Sequence, residues 1–270
     1  TSTDNSTSTD NSTSTDNSSS SSDTTAPTAS VTTATITTSG NAVVQSTETG
    51  TAYLVKTTVS VSNLASITGA ADSQWNSVAI SSANTNTNLA ATGLVDGTYK
   101  VYAVDAAGNL SSASTNSVTL DTTAPTVSSV STTADNQSSV SITDNITVTF
   151  SEAMEPSYVT TSTSDTYCAG TIRVSSDNFS SCVKMSSEPA SSNSNMTFTL
   201  DPYDNLTVST TYKTIVTTGV RDTAGNALSS QYVTSSGFTT TPRVFVAVGN
   251  SGKILTSSDG TSWDNRSSGT

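Results

Sequence analysis

The sequence has no histidine, few charged residues and only two cysteines among its 270 residues. Without histidine, the Ser-His-Asp and Cys-His nucleophile systems and the usual zinc sites are excluded. We find no other enzyme signature and expect no catalytic residue. No run approaches the roughly 18 apolar residues of a membrane span, and no signal-peptide-like segment opens the chain. We therefore expect no membrane insertion and interpret the chain as a mature or excised fragment.

The charge balance is strongly acidic. Nine Lys and Arg stand against 21 Asp and Glu, which gives a formal net charge of −12. Such a surface repels duplex nucleic acid and anionic membranes, so nucleic acid is not an expected partner. Only 11% of the residues are charged and 32% are hydrophobic, with Ser, Thr, Asn and Gly filling much of the rest. This composition favours short strands with polar outer faces and predicts an all-β protein with little helix.

A repeated hexapeptide divides the chain. Asp-Thr-Thr-Ala-Pro-Thr occupies residues 23–28 and returns at 121–126, an offset of 121 − 23 = 98 residues. That offset is about the length of an immunoglobulin-like sandwich, which is large enough to bury a core of its own. The predicted parts are a repeat tail (1–22), Ig-like domain 1 (23–121), Ig-like domain 2 (122–241) and a C-terminal β-hairpin (242–270).

The tail has no apolar side chain. It consists of three copies of Thr-Ser-Thr-Asp-Asn-Ser and a serine run. Because nothing offsets the entropic cost of ordering this backbone, we favour a flexible spacer. The alternatives are a strand held by an exposed sheet edge and a stalk that carries O-glycans.

Domain 1 has an alternating strand in which Tyr99, Val101 and Ala103 are predicted to face the core. The segments 96–99, 105–109 and 118–126 resemble the bacterial Ig-like repeats of giant surface adhesins. In those adhesins, aspartates between domains often bind calcium, which stiffens the rod. The resemblance makes Asp105 and Asp121 the candidate calcium ligands, whereas simple capping of turns is the alternative. No cofactor is required, and calcium is the candidate ion.

Domain 2 contains Ile-Thr-Val-Thr-Phe-Ser-Glu-Ala-Met at 146–154 and the later segments 196–200, 210–220, 222–226 and 237–240. These segments resemble another Ig-like type, which occurs in bacterial surface-layer and extracellular proteins. Glu152 and Glu155 are interpreted as a solvated turn, because no sequence feature places either in an apolar pocket suited to acid-base chemistry. Asp222 and Asn226 are interpreted as turn caps.

The two cysteines lie 14 positions apart in a long polar loop. We predict a disulfide between Cys168 and Cys182, formed in an oxidising compartment and worth about 3 kcal/mol in the loop-entropy model. Two free thiols are the alternative. A stapled loop of this kind is also a place where binding can occur.

The C-terminal part is apolar and strongly β-prone. The candidate assembly-strand residues, on either side of a turn, are Val244, Phe245, Val246, Val248, Ile254 and Leu255. The residues Ser257, Asp259, Gly260 and Trp263 resemble the Asp-box of sialidase-like propellers, a structural hairpin remote from the active site in that family. One box makes at most part of a blade. The segment therefore forms a partial blade, docks on domain 2 or adds a strand to a neighbour.

These features predict a non-enzymatic extracellular or cell-surface protein that acts as a filament subunit, a stalk or an adhesin segment. Its expected partners are further copies of itself or a ligand on a host or cell surface. A glycan- or protein-binding module is one alternative, and a spacer of a larger propeller-type glycosidase is another.

Overall fold

The computed structural model describes residues 23–130, 134–258 and 260–266. It confirms the all-β class with Ig-like sandwiches. Within these residues, one short α-helix, α1 (Leu64–Thr68), and three single-turn 3-10 helices accompany the strands: Asp72–Gln74, Pro156–Tyr158 and Asn250–Gly252. The tail 1–22, Asp259 and residues 267–270 lie outside the described residues, so the prediction for the tail stays a prediction.

Domain 1 contains eight strands in two sheets. The strands are β1 (Ala29–Val31), β2 (Ala34–Ile36), β3 (Asn41–Ser46), β4 (Gly50–Lys56), β5 (Trp75–Ile80), β6 (Thr87–Ala90), β7 (Gly97–Asp105) and β8 (Val118–Leu120). One sheet has the order β1-β3-β6 and the other β2-β8-β7-β4-β5. All pairs are antiparallel except β2 with β8. The core lies between the two sheets.

Strand β7 shows how the sequence pattern fixes the core. Tyr99, Val101 and Ala103 are buried, as predicted, because alternate side chains of a strand point to the same face. The Tyr99 hydroxyl is satisfied by donating to the carbonyl oxygen of Val95 at 2.6 Å. Buried apolar side chains from both sheets of domain 1 form the rest of this core.

Domain 2 also contains two sheets. Its strands are β9 (Val127–Val130), β10 (Ile146–Phe150), β11 (Ile172–Ser175), β12 (Ala190–Ser192), β13 (Thr197–Leu200), β14 (Thr211–Val216), β15 (Tyr232–Val233) and β16 (Phe238–Thr239). One sheet has the order β12-β13-β10-β9, and in the other β14 pairs with β11, β15 and β16. In the core, Phe150 and Phe198 pack edge to face with ring centroids 5.9 Å apart.

The C-terminal residues form a separate antiparallel sheet of three strands: β17 (Phe245–Val248), β18 (Ile254–Ser257) and β19 (Asp264–Arg266). The predicted hairpin corresponds to β17 and β18, and β19 extends it by one strand. Neither of the two described cores includes a residue from this sheet. Among the described helices, none is long and apolar enough to cross a membrane.

Candidate metal sites at the two joints

The two copies of the hexapeptide, residues 23–28 and 121–126, each begin with an aspartate that meets two further carboxylates. We call these segments the first and second joint. At the first joint, Asp23, Glu48 and Asp105 each present a carboxylate oxygen, and the three oxygens lie within 4.8 Å of one another. At the second joint, Asp121, Glu152 and Asp222 do the same. We call these groups the first and second cluster.

The buried aspartate of each cluster is held by a tight turn. Asp105 ends β7 and accepts hydrogen bonds from Asn109, from the backbone N–H at 2.8 Å and from the side-chain Nδ2 at 2.8 Å. Asp222 accepts the same two bonds from Asn226, at 2.8 and 2.9 Å. The predicted capping role of Asp222 and Asn226 agrees with this geometry, but the same turns also orient the carboxylates toward the joints.

The asparagines connect these turns to the joints. Asn109 Nδ2 also donates to the carbonyl oxygen of Asp23 at 3.0 Å, and Asn226 Nδ2 donates to that of Asp121 at 3.1 Å. Each side-chain amide therefore ties the first residue of a joint to the buried aspartate of the following domain.

Glu48 and Glu152 are positioned by a second set of equivalent hydrogen bonds. Glu48 follows Thr47, whose side-chain oxygen accepts the backbone N–H of Thr28. Glu152 follows Ser151, whose side-chain oxygen accepts the backbone N–H of Thr126. In turn, the backbone N–H of Thr47 donates to the carbonyl oxygen of Thr28 at 3.1 Å, and the backbone N–H of Ser151 donates to that of Thr126 at 2.9 Å. These reciprocal bonds fix Glu48 and Glu152 beside their joints.

Asp121 is bonded to both domains. Its N–H donates to the carbonyl oxygen of Ile36 in domain 1 at 3.0 Å, while its own carbonyl oxygen accepts from Asn226 in domain 2. The next residue, Thr122, donates its hydroxyl to the Asp96 carboxylate of domain 1 at 2.6 Å. The second joint is therefore a hydrogen-bonded connection between two sandwiches.

The electrostatics of the second cluster are unfavourable when no cation is present. Burial, followed by the negative charges of Asp121 and Asp222, raises the pKa of the Glu152 carboxyl to about 7. At Asp105, burial acts in the opposite direction to the hydrogen bonds from Asn109, Gly108 and Ala107. These bonds outweigh it, so the pKa of Asp105 lies below its ordinary value.

Calcium fits the donor set. Oxygens that bind one Ca²⁺ at roughly 2.4 Å lie no more than about 4.8 Å apart, and the ion takes six to eight oxygens, which carboxylates, carbonyls and water supply. Each cluster offers one oxygen from each of three carboxylates within that spacing. Backbone carbonyls or water would have to supply the remaining ligands.

The sequence predicted two of these six residues as calcium ligands. Asp105 and Asp121 both lie in clusters, but in different ones, so they do not form one site. Glu48 was not predicted, and Glu152 was interpreted as a solvated turn, whereas its carboxyl is partly buried and lies beside two aspartates. A hydroxyl residue followed by Glu occurs at 47–48 and at 151–152 but also at 187–188, so this dipeptide alone does not identify the two glutamates.

The disulfide is formed. Cys168 and Cys182 are bonded, with their Cα atoms 5.0 Å apart. Tyr167, beside the bridge, is 76% exposed. The stapled loop therefore presents an aromatic ring to solvent.

The candidate assembly residues lie in or beside the C-terminal sheet. Val246 and Val248 in β17 are exposed, as is Val244 just before it, whereas Phe245, Ile254 and Leu255 are half-buried.

In the turn after β18, the buried Ser257 hydroxyl accepts the N–H of Gly260 at 2.8 Å. Trp263 is 41% exposed. The Asp-box assignment stays a prediction, because Asp259 lies outside the described residues.

Comparison with known proteins finds a family match in the second sandwich. The family model described as "Bacterial Ig-like domain" matches residues 121–240, a stretch that begins at the second joint. This finding agrees with the resemblance of domain 2 to bacterial Ig-like modules. Comparison with curated proteins finds no match.

Similar solved structures include "Structure of surface layer protein SbsC, domains 1-6", with 16% identity, a TM-score of 0.32 and coverage of 54% of this chain. The chain spans 19% of the length of that structure. A second is "Biofilm associated protein - BSP domain", with 14% identity, a TM-score of 0.24, and coverage of 80% of this chain and 29% of that one. TM-scores this low do not establish a shared fold.

Proposed function

We propose that the chain is a non-enzymatic structural segment of an extracellular or cell-surface bacterial protein: a stalk, a surface-filament subunit or an adhesin segment. The observation that carries this proposal is the duplicated joint, in which the same bonds recur at both domain entrances. A connection built twice in this way suits a rod of serially attached sandwiches. The bacterial Ig-like match at 121–240 and the disulfide support this role, since disulfides persist in oxidising compartments.

In this proposal the second cluster controls the stiffness of the rod. Asp121 belongs to the connection, whereas Glu152 and Asp222 belong to domain 2, so an ion held by all three ties the connection to the sandwich. A bound Ca²⁺ would supply positive charge that cancels the repulsion among the three carboxylates. Without it, that repulsion acts directly on the connection and favours bending at the joint.

Calcium binding is tested by titration calorimetry on the full chain, with Glu152→Gln and Glu48→Gln as a matched pair. Each substitution removes one carboxylate of equal size from one cluster, and in the described part of the chain neither carboxylate makes a hydrogen bond that would be lost. We expect about two sites in the wild type and weakened binding at one site in each variant. Unchanged binding in both variants would contradict the calcium assignment.

The variants Glu152→Gln and Glu48→Gln should differ in how calcium changes the stiffness of the rod. Small-angle scattering should give a longer maximum dimension with Ca²⁺ than with a chelator in the wild type and in Glu48→Gln. Glu152→Gln should lose this response, because only its cluster lies between the two sandwiches. Equal loss in both variants would mean that the effect does not originate at the second joint.

A second candidate function is ligand binding by the disulfide-stapled face of domain 2. Two exposed tyrosines support it: Tyr167 and Tyr203. Tyr203 is 59% exposed, and the centroid of its ring lies 4.1 Å from the Lys184 ammonium. Exposed aromatic rings suit stacking against sugars or protein side chains. Loss of binding to a glycan array on Tyr167→Ala, with Tyr158→Ala as the control, would favour this role.

The remaining alternative is a spacer in a larger propeller-type glycosidase. It depends on the Asp-box resemblance of the turn after β18. Further boxes encoded downstream would support it.

A further inference from the structure

The most exposed apolar residues in the described C-terminal part lie in β17 or directly before it. Val244, Val246 and Val248 are 60%, 61% and 79% exposed. Alternate residues of a strand share a face, so these three valines form a stripe, which we call the valine stripe. Ile254 lies opposite Val248 across β17 and β18 and extends the stripe on the same face.

The stripe lies on an open edge. β17 is the outer strand of the order β17-β18-β19, and no described strand pairs with its other side. An exposed, apolar strand edge with free N–H and C=O groups pairs readily with another strand. Without a partner, this small sheet gains little stability, since its described residues bury no hydrophobic side chain.

The charge distribution favours a second copy as that partner. Residues 242–270 contain three Lys and Arg and two Asp, a net charge of +1, whereas the other 241 residues have 6 − 19 = −13. Two copies that meet at this end bring nearly neutral surfaces together and keep their acidic sandwiches apart. The polar N-terminal tail, by contrast, offers Thr, Ser, Asp and Asn to an apolar stripe.

The local sequence is also self-complementary. Residues 244–248 read Val-Phe-Val-Ala-Val, with valine at the centre and at both ends. In an antiparallel pair centred on Val246, that residue lies opposite its own copy, and Val244 lies opposite Val248 of the second copy. All three valines of each chain then face valines, which is the kind of cross-strand contact that stabilises a sheet.

We propose that β17 is a self-association strand, and that two copies of the chain pair antiparallel through it about a two-fold axis at Val246. The product is a six-stranded sheet that joins two rods at their C-terminal ends. This inference goes beyond the proposed function, which names no surface for self-association. The calcium response of the second joint is independent of it, so either proposal can fail alone.

The register is tested by cysteine cross-linking of the full chain under mild oxidation. Opposed residues of an antiparallel pair have Cα atoms about 4.5–5.5 Å apart, within the range that a disulfide spans. We expect Val246→Cys to cross-link with itself. Val248→Cys should not, but it should cross-link when mixed with Val244→Cys. Self-linking of Val248→Cys with none for Val246→Cys would overturn the register.

Sedimentation over a range of concentrations tests the association itself. Val246→Lys places two like charges opposite each other, so we expect the dimer dissociation constant to rise at least about tenfold. Val233→Lys alters another exposed strand valine, which lies in domain 2, and should leave the dimer unchanged. A wild-type monomer at every concentration would overturn the proposal. So would an association that withstands Val246→Lys and disappears when residues 1–22 are removed, because the tail would then be the partner.

Discussion

Replacing Glu152 with Gln should make the protein more stable at pH 8 when no calcium is present. The carboxyl of Glu152 is partly buried beside Asp121 and Asp222, and its pKa is raised to about 7 from an ordinary 4.5. Glutamine has the same shape and stays neutral, so the variant avoids the third negative charge of the second cluster. The gain should nearly disappear at pH 4.5, where Glu152 is protonated in the folded chain and already half protonated in the unfolded chain.

The sign and the size follow from proton linkage. Between pH 4.5 and 7 the folded chain holds the Glu152 proton and the unfolded chain has lost it, so stability falls as pH rises. Raising the pKa of Glu152 from 4.5 to about 7 corresponds to about 3.5 kcal/mol. Because the side chain is only partly buried, solvent screening reduces the expected effect to ~1 kcal/mol.

Scanning calorimetry of the full chain at pH 4.5 and pH 8, with a chelator present, measures this difference in the transition of domain 2. Glu48→Gln is the matched control, because it removes the corresponding charge from the first cluster. With Ca²⁺ at pH 8 the order should reverse, and the wild type should be the more stable protein. A Glu152→Gln variant that is less stable than the wild type at pH 8 without calcium would refute the reasoning.

Three further predictions concern the stability of domain 2. Replacing Cys168 and Cys182 with Ser should cost about 3 kcal/mol in urea unfolding, because a loop of 14 residues is released, and no loss would mean that the bridge does not constrain the unfolded chain. Phe198→Ala should cost about 3–5 kcal/mol by the same assay, since the side chain is fully buried against Phe150, and a loss under 1 kcal/mol would contradict that packing. Gly237→Ala should destabilise the protein more than Gly93→Ala does. Both glycines have a positive φ, but only at Gly237 would the added Cβ lie 2.1 Å from a backbone oxygen. Equal losses would show that the clash is relieved.

The strands that alternate strictly could be predicted from the sequence. In β7 and β10, every second side chain is apolar and becomes buried. Strand β6 could not be predicted, because Leu89 is its only fully buried side chain and no alternation is visible in Thr-Asn-Leu-Ala. Helix α1 could not be predicted for a different reason, since it depends on a capping box between Asn63 and Ser66 rather than on apolar periodicity.

The clusters could be predicted only in part. Repetition of the hexapeptide identifies Asp23 and Asp121 as equivalent, and the two Asp-x-x-Gly-Asn turns do the same for Asp105 and Asp222. The third members lie far from both motifs in sequence, and Glu48 reaches its cluster only because the turn between β3 and β4 folds onto the joint. That approach is a tertiary contact, which local pattern does not encode.

The most direct test of the rod proposal is the distance between spin labels on the two sandwiches, measured by double electron-electron resonance. Thr58 and Ser187 are exposed and accept cysteine substitutions for labelling, and the two native cysteines are bonded to each other. We expect one narrow distance distribution with Ca²⁺ and a broad one with a chelator in the wild type, and we expect Glu152→Gln to give the same distribution in both conditions. A distribution that is equally broad with and without Ca²⁺ in the wild type would contradict a calcium-stiffened joint.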